Sequence, residues 1–413
     1  MLDLKFILEN QEVVKSACRH KNLDPSIVDE VVQLATAYKQ LLSKVESLRA
    51  EKNKLGKDDI DRARQIKTRL KGMESDLREV KQKLDEKMAW VPNIHAPDVP
   101  IGKDEHDNKV VYEWGKKPKF DFTPRTHYEL GELLDIIDTK RGAKVSGFRG
   151  YFLKNAGALL HLGVLMYALQ KLVKKGFTPI IAPAIVKRFV LFGAGQFPWG
   201  ERETYQLNDK DAYLAGTAEQ PVMAYFSGET LKEQNLPIKF VAFSPCYRRE
   251  AGSYGKDTRG IYRLHEFMKV EQLVLDVADL KKAERWIEEL RQNSEEILQD
   301  LGLPYRVLKM CTGDMGEPHY KKYDIETWMP GRGDYGETMS DSIMTDFQTR
   351  RLKIHYFTKT GEKKLAYSFN NTAIASPRIL VAILETYQQA DGSVVVPEVL
   401  RPFVGTDVIK PHA

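Results

Sequence analysis

The chain is short of cysteine, and the few cysteines it has are far apart. Cys18, Cys246 and Cys311 are the only three in 413 residues. No Cys-x-x-Cys pair and no histidine cluster at metal-ligand spacing is present. This pattern argues against a disulfide framework or a zinc site, and we expect reduced structural thiols in a cytoplasmic protein.

Long apolar runs and a strong charge of one sign are also missing. No apolar run approaches the ~18–20 residues of a membrane-spanning helix. The N-terminal residues MLDLKFILEN carry charges and lack the apolar centre of a cleavable signal. The 63 basic and 58 acidic residues leave a net charge of +5, which permits a polyanionic partner without requiring one. We expect two or three domains.

The first clear pattern that is present is a heptad repeat in a helical segment. Apolar residues recur at alternating steps of four and three between residues 27 and 48, and again between residues 66 and 84. The stretch GKDD, which starts at Gly56, separates the two seams. They predict an antiparallel coiled-coil hairpin, about 26–90, within an N-terminal helical arm of residues 1–105.

This hairpin is basic. Residues 39–87 hold 15 Lys or Arg and 10 Asp or Glu, so the excess of basic residues in the whole chain is concentrated here. A solvated helical face would account for the charge as well as a surface that lies along a phosphate backbone would. Residues 91–118 follow as a linker that contains several prolines.

The remainder of the chain mixes amphipathic segments with short β-rich runs. The runs that we expect to form strands are FTPIIAP, IKFVAF, EFMKVEQLVLDV, KLAYSF and YDIETWM. Strands joined by long, irregular connections are typical of an α+β domain with a mainly antiparallel sheet.

The most informative segment spans residues 243–272, FSPCYRREAGSYGKDTRGIYRLHEFMKVEQ. The chain has neither a P-loop nor Gly-x-Gly-x-x-Gly after a strand, but here four arginines surround a glycine-punctuated turn between two β-rich runs. The planar donor fork of arginine suits phosphate and carboxylate oxygens. Strand alternation would put Arg263 and Phe267 on one face, where one could hold phosphate and the other could stack on a base. A charged surface hairpin is the alternative.

The same segment resembles motif 2 of the class II aminoacyl-tRNA synthetases, in the version of bacterial-type seryl-tRNA synthetases. Other stretches resemble this family in the family's order: MLDLKFILEN its opening, the hairpin its tRNA-binding arm, GFTPIIAPAIV its motif 1, then residues 193–198, TAEQP, ETMSDSIMTDFQTRR, and NNTAIASPRILVAILETYQQADGSVVVPEVLRPF with motif 3. The resemblance covers nearly the whole chain. It implies a class II catalytic domain on an antiparallel sheet in residues 106–413, and a homodimer.

The resemblance also implies a serine site. Thr217 and Glu219 would contact the amino group of the amino acid, and Glu271 and Thr372 would read its hydroxyl group. The full set of implied serine-binding residues is Thr217, Ala218, Glu219, Arg248, Glu271, Asn370 and Thr372.

An ATP site is implied beside it. Phe267 would stack on adenine near Glu250, Arg263 would hold the γ-phosphate, and Glu337 with Ser340 would coordinate Mg²⁺. The implied ATP-binding residues are Arg248, Arg249, Glu250, Arg263, Leu264, Phe267, Glu337, Thr338, Met339, Ser340 and Arg378. The residues expected to act directly in catalysis are Arg248, Arg378 and Glu337.

The implied reaction has two steps. Serine and ATP give seryl-adenylate and pyrophosphate, and serine then passes to tRNA(Ser), with tRNA(Sec) as a second acceptor that family members commonly use. Attack of a carboxylate on the α-phosphate brings two anions together, so cations and positioning are required and a protein nucleophile is not.

Two features depart from the family pattern. Motif 3 here reads Asn370-Asn371-Thr372-Ala373 and continues without the glycines that many members carry, which removes backbone freedom near ATP. Asp341 stands where cysteine is common.

Three alternatives remain at the level of sequence. A related ligase that loads a carrier protein would lack the long arm. A non-catalytic RNA-binding or scaffold protein would have lost its phosphate ligands, which are present here. A synthetase for another amino acid is the third, if Thr372 reshapes the pocket.

Overall fold

The computed structural model of the chain describes residues 1–56, 59–251 and 259–411. The chain forms two compact units, Met1–Ile94 and His95–Ala413. Residues 95–108, which the sequence assigns to the arm and linker, bond within the second unit: the Ala96 amide donates to the carbonyl of Tyr320, and the Thr312 amide donates to that of Pro100.

The helices of the described residues are α1 (Leu4–Glu9), α2 (Gln11–His20), α3 (Ser26–Lys54), α4 (Ile60–Ala89), α5 (His127–Leu133), α6 (Thr139–Ser146), α7 (Ala156–Lys174), α8 (Arg188–Ala194), α9 (Glu219–Met223), α10 (Leu280–Asp300), α11 (Phe347–Leu352), α12 (Arg378–Thr386) and α13 (Arg401–Val404).

The strands are β1 (Lys109–Trp114), β2 (Ile137–Asp138), β3 (Phe152–Leu153), β4 (Thr178–Ile181), β5 (Ile185–Val186), β6 (Tyr213–Leu214), β7 (Thr230–Lys232), β8 (Ile238–Tyr247), β9 (Glu266–Asp276), β10 (Tyr305–Lys309), β11 (Lys321–Met329), β12 (Asp334–Thr345), β13 (His355–Phe357), β14 (Lys363–Leu365), β15 (Tyr367–Ser376), β16 (Val394–Val395) and β17 (Val408–Ile409).

The first unit is the helical arm that the heptads predict. Helices α3 and α4 pack along their length. Their seam contains the buried side chains of Val45, Leu48, Ile66 and Leu70. Ion pairs between residues 30 and 87, 49 and 74, and 51 and 62 show that the helices are antiparallel, because one partner number rises as the other falls.

A second apolar cluster lies at the base of the arm. It joins α1 and α2 to the first turns of α3 and the last turns of α4. Its buried members are Leu2, Ile7, Val14, Cys18, Val28, Val31, Ala35, Leu84, Met88 and Val91. The arm therefore has two separate apolar cores, one at its base and one toward its tip.

The second unit is built on an eight-stranded sheet in the order β1-β10-β11-β12-β15-β9-β8-β4. Neighbouring strands are antiparallel except for the edge strand β4, which runs parallel to β8. The mainly antiparallel sheet expected from the sequence is therefore confirmed. One run differs from expectation, since KLAYSF is divided between β14 and β15.

Helix α7 is apolar enough to cross a membrane by length and composition alone, a feature that the sequence reading missed. It packs against β8, β9 and β15, and 44% of its apolar window is buried within the fold. Core helices of water-soluble folds pass the same test, so this single helix is weak evidence for a membrane span.

Candidate active site

A cleft of about 250 Å³ lies along β9, β12 and β15 in the middle of the sheet, and the start of α12 closes one end. Most residues expected to bind serine line it: Thr217, Glu219, Arg248, Glu271, Asn370 and Thr372. Most residues expected to bind ATP line it as well: Glu250, Leu264, Phe267, Glu337, Thr338, Met339, Ser340 and Arg378. The tertiary fold thus joins segments that lie as far apart in the chain as Thr217 and Arg378.

Three of the expected residues do not line the cleft. Ala218 is fully buried, and it contributes its backbone amide, which donates to Oε2 of Glu271 at 2.7 Å. Arg249 is exposed, and its amide donates to the carbonyl of Glu203 at 2.9 Å. Any role for Ala218 is therefore through its backbone, and the side chain of Arg249 would need to move to reach a ligand in the cleft.

Arg263 is the third, and it precedes β9, which begins at Glu266. The expectation that Arg263 and Phe267 alternate along one strand is therefore wrong, because Arg263 is not part of that strand. Leu264 lines the cleft with Phe267 instead. Nη1 of Arg263 donates to Oε2 of Glu250 at 2.8 Å, so these two expected ATP contacts bind each other in this structure.

A β-bulge in β12 explains why a run of four successive residues reaches the cleft. Glu337 pairs with Glu326 and Met339 with Ile325, which leaves Thr338 as the extra residue on its strand. In a regular strand Glu337 and Ser340, three positions apart, would face opposite sides of the sheet. The bulge re-aims the strand, and both side chains line the same cleft.

A second bulge lies in β15, within the motif 3 segment that lacks the family's glycines. Thr372 pairs with Glu271 and Ile374 pairs with Val270, so Ala373 is the extra residue. Residues 370–378, all of which the structure describes, have no positive φ angle. The backbone of this segment is therefore accessible to any L-amino acid, and the missing glycines do not strain it.

The end of the cleft where the expected serine-binding residues lie contains a buried ion pair. Nζ of Lys269 lies 2.6 Å from Oε1 of Glu271 and donates to Oγ1 of Thr217 at 3.1 Å. The Thr217 hydroxyl in turn donates to Oε2 of Glu271 at 2.6 Å. Burial raises the pKa of Glu271, but Lys269 and Thr217 outweigh it, and the pKa stays below its ordinary value. Glu271 is therefore held as a carboxylate beside its strand neighbour Thr372.

Glu219 is bonded by neutral side chains instead. Its Oε1 accepts hydrogen bonds from Nε2 of Gln348 at 2.6 Å and Nδ2 of Asn370 at 2.7 Å. Burial, together with the charge of Glu271, raises the pKa of Glu219 to about 7. A cationic ligand placed here would favour the charged form and lower that pKa.

The other end of the cleft is lined by Arg248, Lys322 and Arg378 together with the carboxylate of Glu337. Arg378 donates through Nη1 to the carbonyl of Glu337 at 3.0 Å, and the same atom lies 3.6 Å from Oε2 of Glu337. Burial acts to raise the pKa of Glu337, but Arg378 and Lys322 outweigh it and hold the pKa below its ordinary value. The guanidinium of Arg248 lies over the ring of Phe267 at 5.3 Å. Such a set of fixed positive groups suits a polyphosphate.

Several residues that shape the cleft were missed at the level of sequence. Gln196, Lys269, His319 and Lys322 all line the cleft. Gln348 is almost fully buried and bonds both Glu219 and the carbonyl of Ala194. Alternation along EFMKVEQ could have marked Lys269, whereas no local pattern marks the others.

Comparison with protein families divides the chain in two. Residues 1–95 match the seryl-tRNA synthetase N-terminal domain. Residues 202–387 match the tRNA synthetase class II core domain (G, H, P, S and T). The serine–tRNA ligase of Deinococcus radiodurans is 45% identical over 98% of each chain. The chain belongs to the seryl-tRNA synthetase family.

Solved structures of family members have the same fold. The seryl-tRNA synthetase of Pyrococcus horikoshii, crystallised with ATP, superposes with a TM-score of 0.95 at 39% identity and full coverage of both chains. The cytoplasmic serine–tRNA ligase of Naegleria fowleri, crystallised with AMP, gives a TM-score of 0.91 at 32% identity, with 100% of this chain and 99% of that chain covered. The predicted class II fold with its helical arm is confirmed.

The two departures from the seryl-tRNA synthetase pattern turn out to be neighbours. Asp341 and Asn371 are register partners on adjacent strands, and both are fully buried. Oδ1 of Asn371 accepts from Nε2 of Gln272 at 2.7 Å and from the hydroxyl of Ser294 at 2.6 Å. Burial raises the pKa of Asp341 well above its ordinary value. Both residues thus belong to a polar layer beneath α10, and neither lines the cleft.

Proposed function

We propose that the chain attaches L-serine to tRNA in two steps, by way of seryl-adenylate. The observation that supports this most strongly is the division of one cleft into two chemical ends. One end has two carboxylates and hydroxyl groups suited to a small amino acid. The other end has arginines and a carboxylate suited to a nucleoside triphosphate with its metal. A loading enzyme needs both ends side by side, because the carboxylate must reach the α-phosphate.

At the serine end, we assign the ammonium group to Glu219, whose carboxylate is bonded by neutral amides, with Thr217 beside it. The hydroxyl group is assigned to Glu271 and Thr372, which adjacent strands hold side by side. Glu271 already accepts from Lys269 and Thr217 and is therefore fixed in orientation before the substrate arrives. Alanine would leave these polar groups unpaired, so it should be rejected more strongly than threonine, whose extra methyl group is excluded only by the fit of the pocket.

At the nucleotide end, Arg248 would bridge the serine carboxylate and the α-phosphate, and Arg378 would neutralise charge that develops during transfer. Arg263 is assigned to the γ-phosphate, which would have to compete with Glu250 for its guanidinium. Phe267 would stack on adenine. The family uses ATP with Mg²⁺.

Mg²⁺ fits the residues that are present. Among the residues that the structure describes, no cluster of three or more His, Cys, Asp or Glu could hold a metal. Mg²⁺ is usually bound by one or two protein oxygens together with substrate phosphates. Glu337 and Ser340, which the bulge in β12 brings to the same cleft, would supply those oxygens. When bound, the ion would neutralise phosphate charge.

We assign tRNA binding to the arm, residues 1–105, and catalysis to residues 106–413. The basic hairpin within residues 26–90 offers two rows of lysine and arginine on helices of 29 and 30 residues. Cations spaced along such a length suit the phosphates of an extended RNA segment. The acceptor would be tRNA(Ser), with tRNA(Sec) as a further acceptor where the host has it. We also propose a cytoplasmic location, where both ATP and tRNA are available.

A homodimer is also proposed, and an exposed apolar surface of the second unit supports it. The edge strand β4 ends in Ile181, which is 81% exposed, and Ile185 and Phe189 follow with 61% and 50% exposure. Helix α7 packs beside β4 and exposes Leu162. An exposed edge strand with apolar side chains is a liability in a monomer and is normally covered.

ATP–pyrophosphate exchange with each of the twenty amino acids tests the first step. We expect exchange that depends on serine, and exchange that depends on another amino acid would overturn the substrate assignment. Charging of total tRNA with labelled serine, compared with loading of a carrier protein, tests the second step. Light scattering tests the dimer, with Ile181→Asp as the variant expected to yield monomers.

A further inference from the structure

A buried histidine–glutamate pair lies outside the cleft and has no role in the steps above. His127, at the start of α5, and Glu385, near the end of α12, are 7% and 1% exposed. Nδ1 of His127 lies 2.9 Å from Oε1 of Glu385, and the amide of His127 donates to the same oxygen at 2.9 Å. The other oxygen, Oε2, accepts from the amide of Gly331 at 2.9 Å. Both residues are therefore tightly held.

The second nitrogen of the ring reaches the segment that lines the cleft. The amide of Ile261 donates to Nε2 of His127 at 3.1 Å. A backbone amide can only donate, so Nε2 must lack a proton and Nδ1 must carry one toward Glu385. The His127 ring therefore bridges two groups: it donates to Glu385 through Nδ1 and accepts from the Ile261 amide through Nε2.

Helix α12 holds this segment at two points. Its first residue, Arg378, donates through Nε to the carbonyl of Tyr262 at 3.0 Å and lies over the Tyr262 ring at 4.5 Å. Two turns later, Glu385 reaches the neighbouring residue Ile261 through His127. The fit is close, since a Cβ atom at Gly260, where φ is +73°, would meet Nε2 of His127 at 1.9 Å.

We propose that His127 and Glu385 are positioning residues that clamp Ile261 and Tyr262 against α12 and thereby fix Arg378 at the nucleotide end of the cleft. The inference rests on the proposed function, because it assigns ATP to that end. The serine end is built from β9, β15 and α9 and makes no contact with the clamp in the hydrogen bonds that the structure describes.

The test is the separation of two Michaelis constants in ATP–pyrophosphate exchange. His127→Ala should raise the KM for ATP about tenfold, the scale for one buried hydrogen bond left unmade, while the KM for serine stays within about twofold. Glu385→Gln keeps one oxygen for His127 and should have a smaller effect in the same direction. Equal changes in both constants would mean a general loss of structure and would overturn the proposal.

Chemical rescue separates the clamp from simple filling of space. Imidazole added to His127→Ala should lower the KM for ATP, because it can donate to Glu385 and accept from Ile261. 1-Methylimidazole cannot do both and should not rescue. Equal rescue by the two compounds would contradict the bridging role of the His127 ring. If His127→Ala does not fold, an unchanged KM for ATP in folded Glu385→Gln would also contradict it.

Tyr387→Phe is the matched control. Its hydroxyl donates to the carbonyl of Leu301 at 2.7 Å, at the end of α12 away from the cleft, and both Michaelis constants should be unchanged.

Nitrogen-15 NMR of the full chain reports the tautomer of His127 independently of any activity assay. Nδ1 should be protonated and Nε2 unprotonated, and the opposite tautomer would overturn the clamp. Absence of serine-dependent exchange in the unmodified enzyme would instead count against the proposed function alone.

Discussion

The arm and the eight-stranded sheet use the same kind of ion pair in opposite ways. On the arm, Arg49 and Glu74 lie 2.7 Å apart with side chains that are 57% and 36% exposed. In the sheet, Lys269 and Glu271 lie 2.6 Å apart with side chains that are 6% and 4% exposed. Solvent screens the first pair and not the second.

This difference separates what holds each region together. The arm is stable through its apolar seam, and its ion-paired surface charges remain exposed to solvent. The sheet buries charge where a small substrate must be recognised, and each buried group depends on a specific partner. Substitutions in the sheet should therefore strongly affect stability and the activation of the amino acid. Substitutions on the arm should mainly affect binding of tRNA.

The largest effect is expected at the nucleotide end of the sheet. Arg248→Ala should reduce ATP–pyrophosphate exchange by about 10³-fold, because it removes a cation placed where charge develops. Arg249 is the exposed neighbour outside the cleft, and Arg249→Ala should lose far less of the exchange activity. Near-normal exchange in Arg248→Ala would remove that residue from the mechanism.

Breaking one ion pair in each region compares them directly. Lys269→Met should lower the free energy of unfolding by about 3–5 kcal/mol, because Glu271 would remain as an unpaired buried carboxylate. Arg49→Met should lower it by less than about 1 kcal/mol, as is usual for exposed pairs. Urea unfolding followed by tryptophan fluorescence measures both, and equal losses would contradict the contrast.

The arm should matter for charging and not for activation. Replacing residues 41–81 with a short Gly-Ser turn removes the tip cluster and keeps the apolar base between α1, α2, α3 and α4. Serine-dependent exchange should stay within about twofold, while the rate of tRNA charging should fall by about 10²-fold through lost phosphate contacts. Parallel loss of both activities would make the arm a structural element of catalysis.

Asp341 offers a smaller test inside the sheet. Its raised pKa means that the stability it contributes is complete below the ordinary value of 3.8 and is lost as pH rises through the folded-state pKa. Asp341→Asn should therefore raise the free energy of unfolding at pH 7–8 by about 1–3 kcal/mol and flatten its pH dependence. Asp76 is exposed on the arm, and Asp76→Asn should change neither the free energy of unfolding nor its pH dependence. Destabilisation by Asp341→Asn at neutral pH would refute this.

The smallest effect concerns serine binding near neutral pH. Glu219 has a pKa of about 7 in the free protein, and only its charged form attracts an ammonium group. The value of kcat/KM for serine should fall as pH drops below 7, by about tenfold for each unit once the group is protonated. Glu219→Gln should have a low kcat/KM without that dependence, and an unaltered pH profile in this variant would exclude the role.

Much of the fold and of the site follows from the sequence alone. The heptad steps determine the arm, because each seam residue meets a partner that the same local period defines. Alternation along EFMKVEQ places Phe267, Lys269 and Glu271 on one face, and the arginines around residue 250 mark a phosphate site. The resemblance to seryl-tRNA synthetases named most of the residues that line the cleft.

The tertiary structure decided what no local period encodes. The bulges at Thr338 and Ala373 shift the pleat by one residue, so the side chains that reach the cleft could not be counted along the strands. Alternation puts Lys269 beside Glu271, but only the packing of the sheet removes water from both. Asp341 and Asn371, 30 positions apart, became neighbours only through strand order. Local spacing determines helices and strand faces, whereas pairing between distant segments determines which charges meet in a region without water.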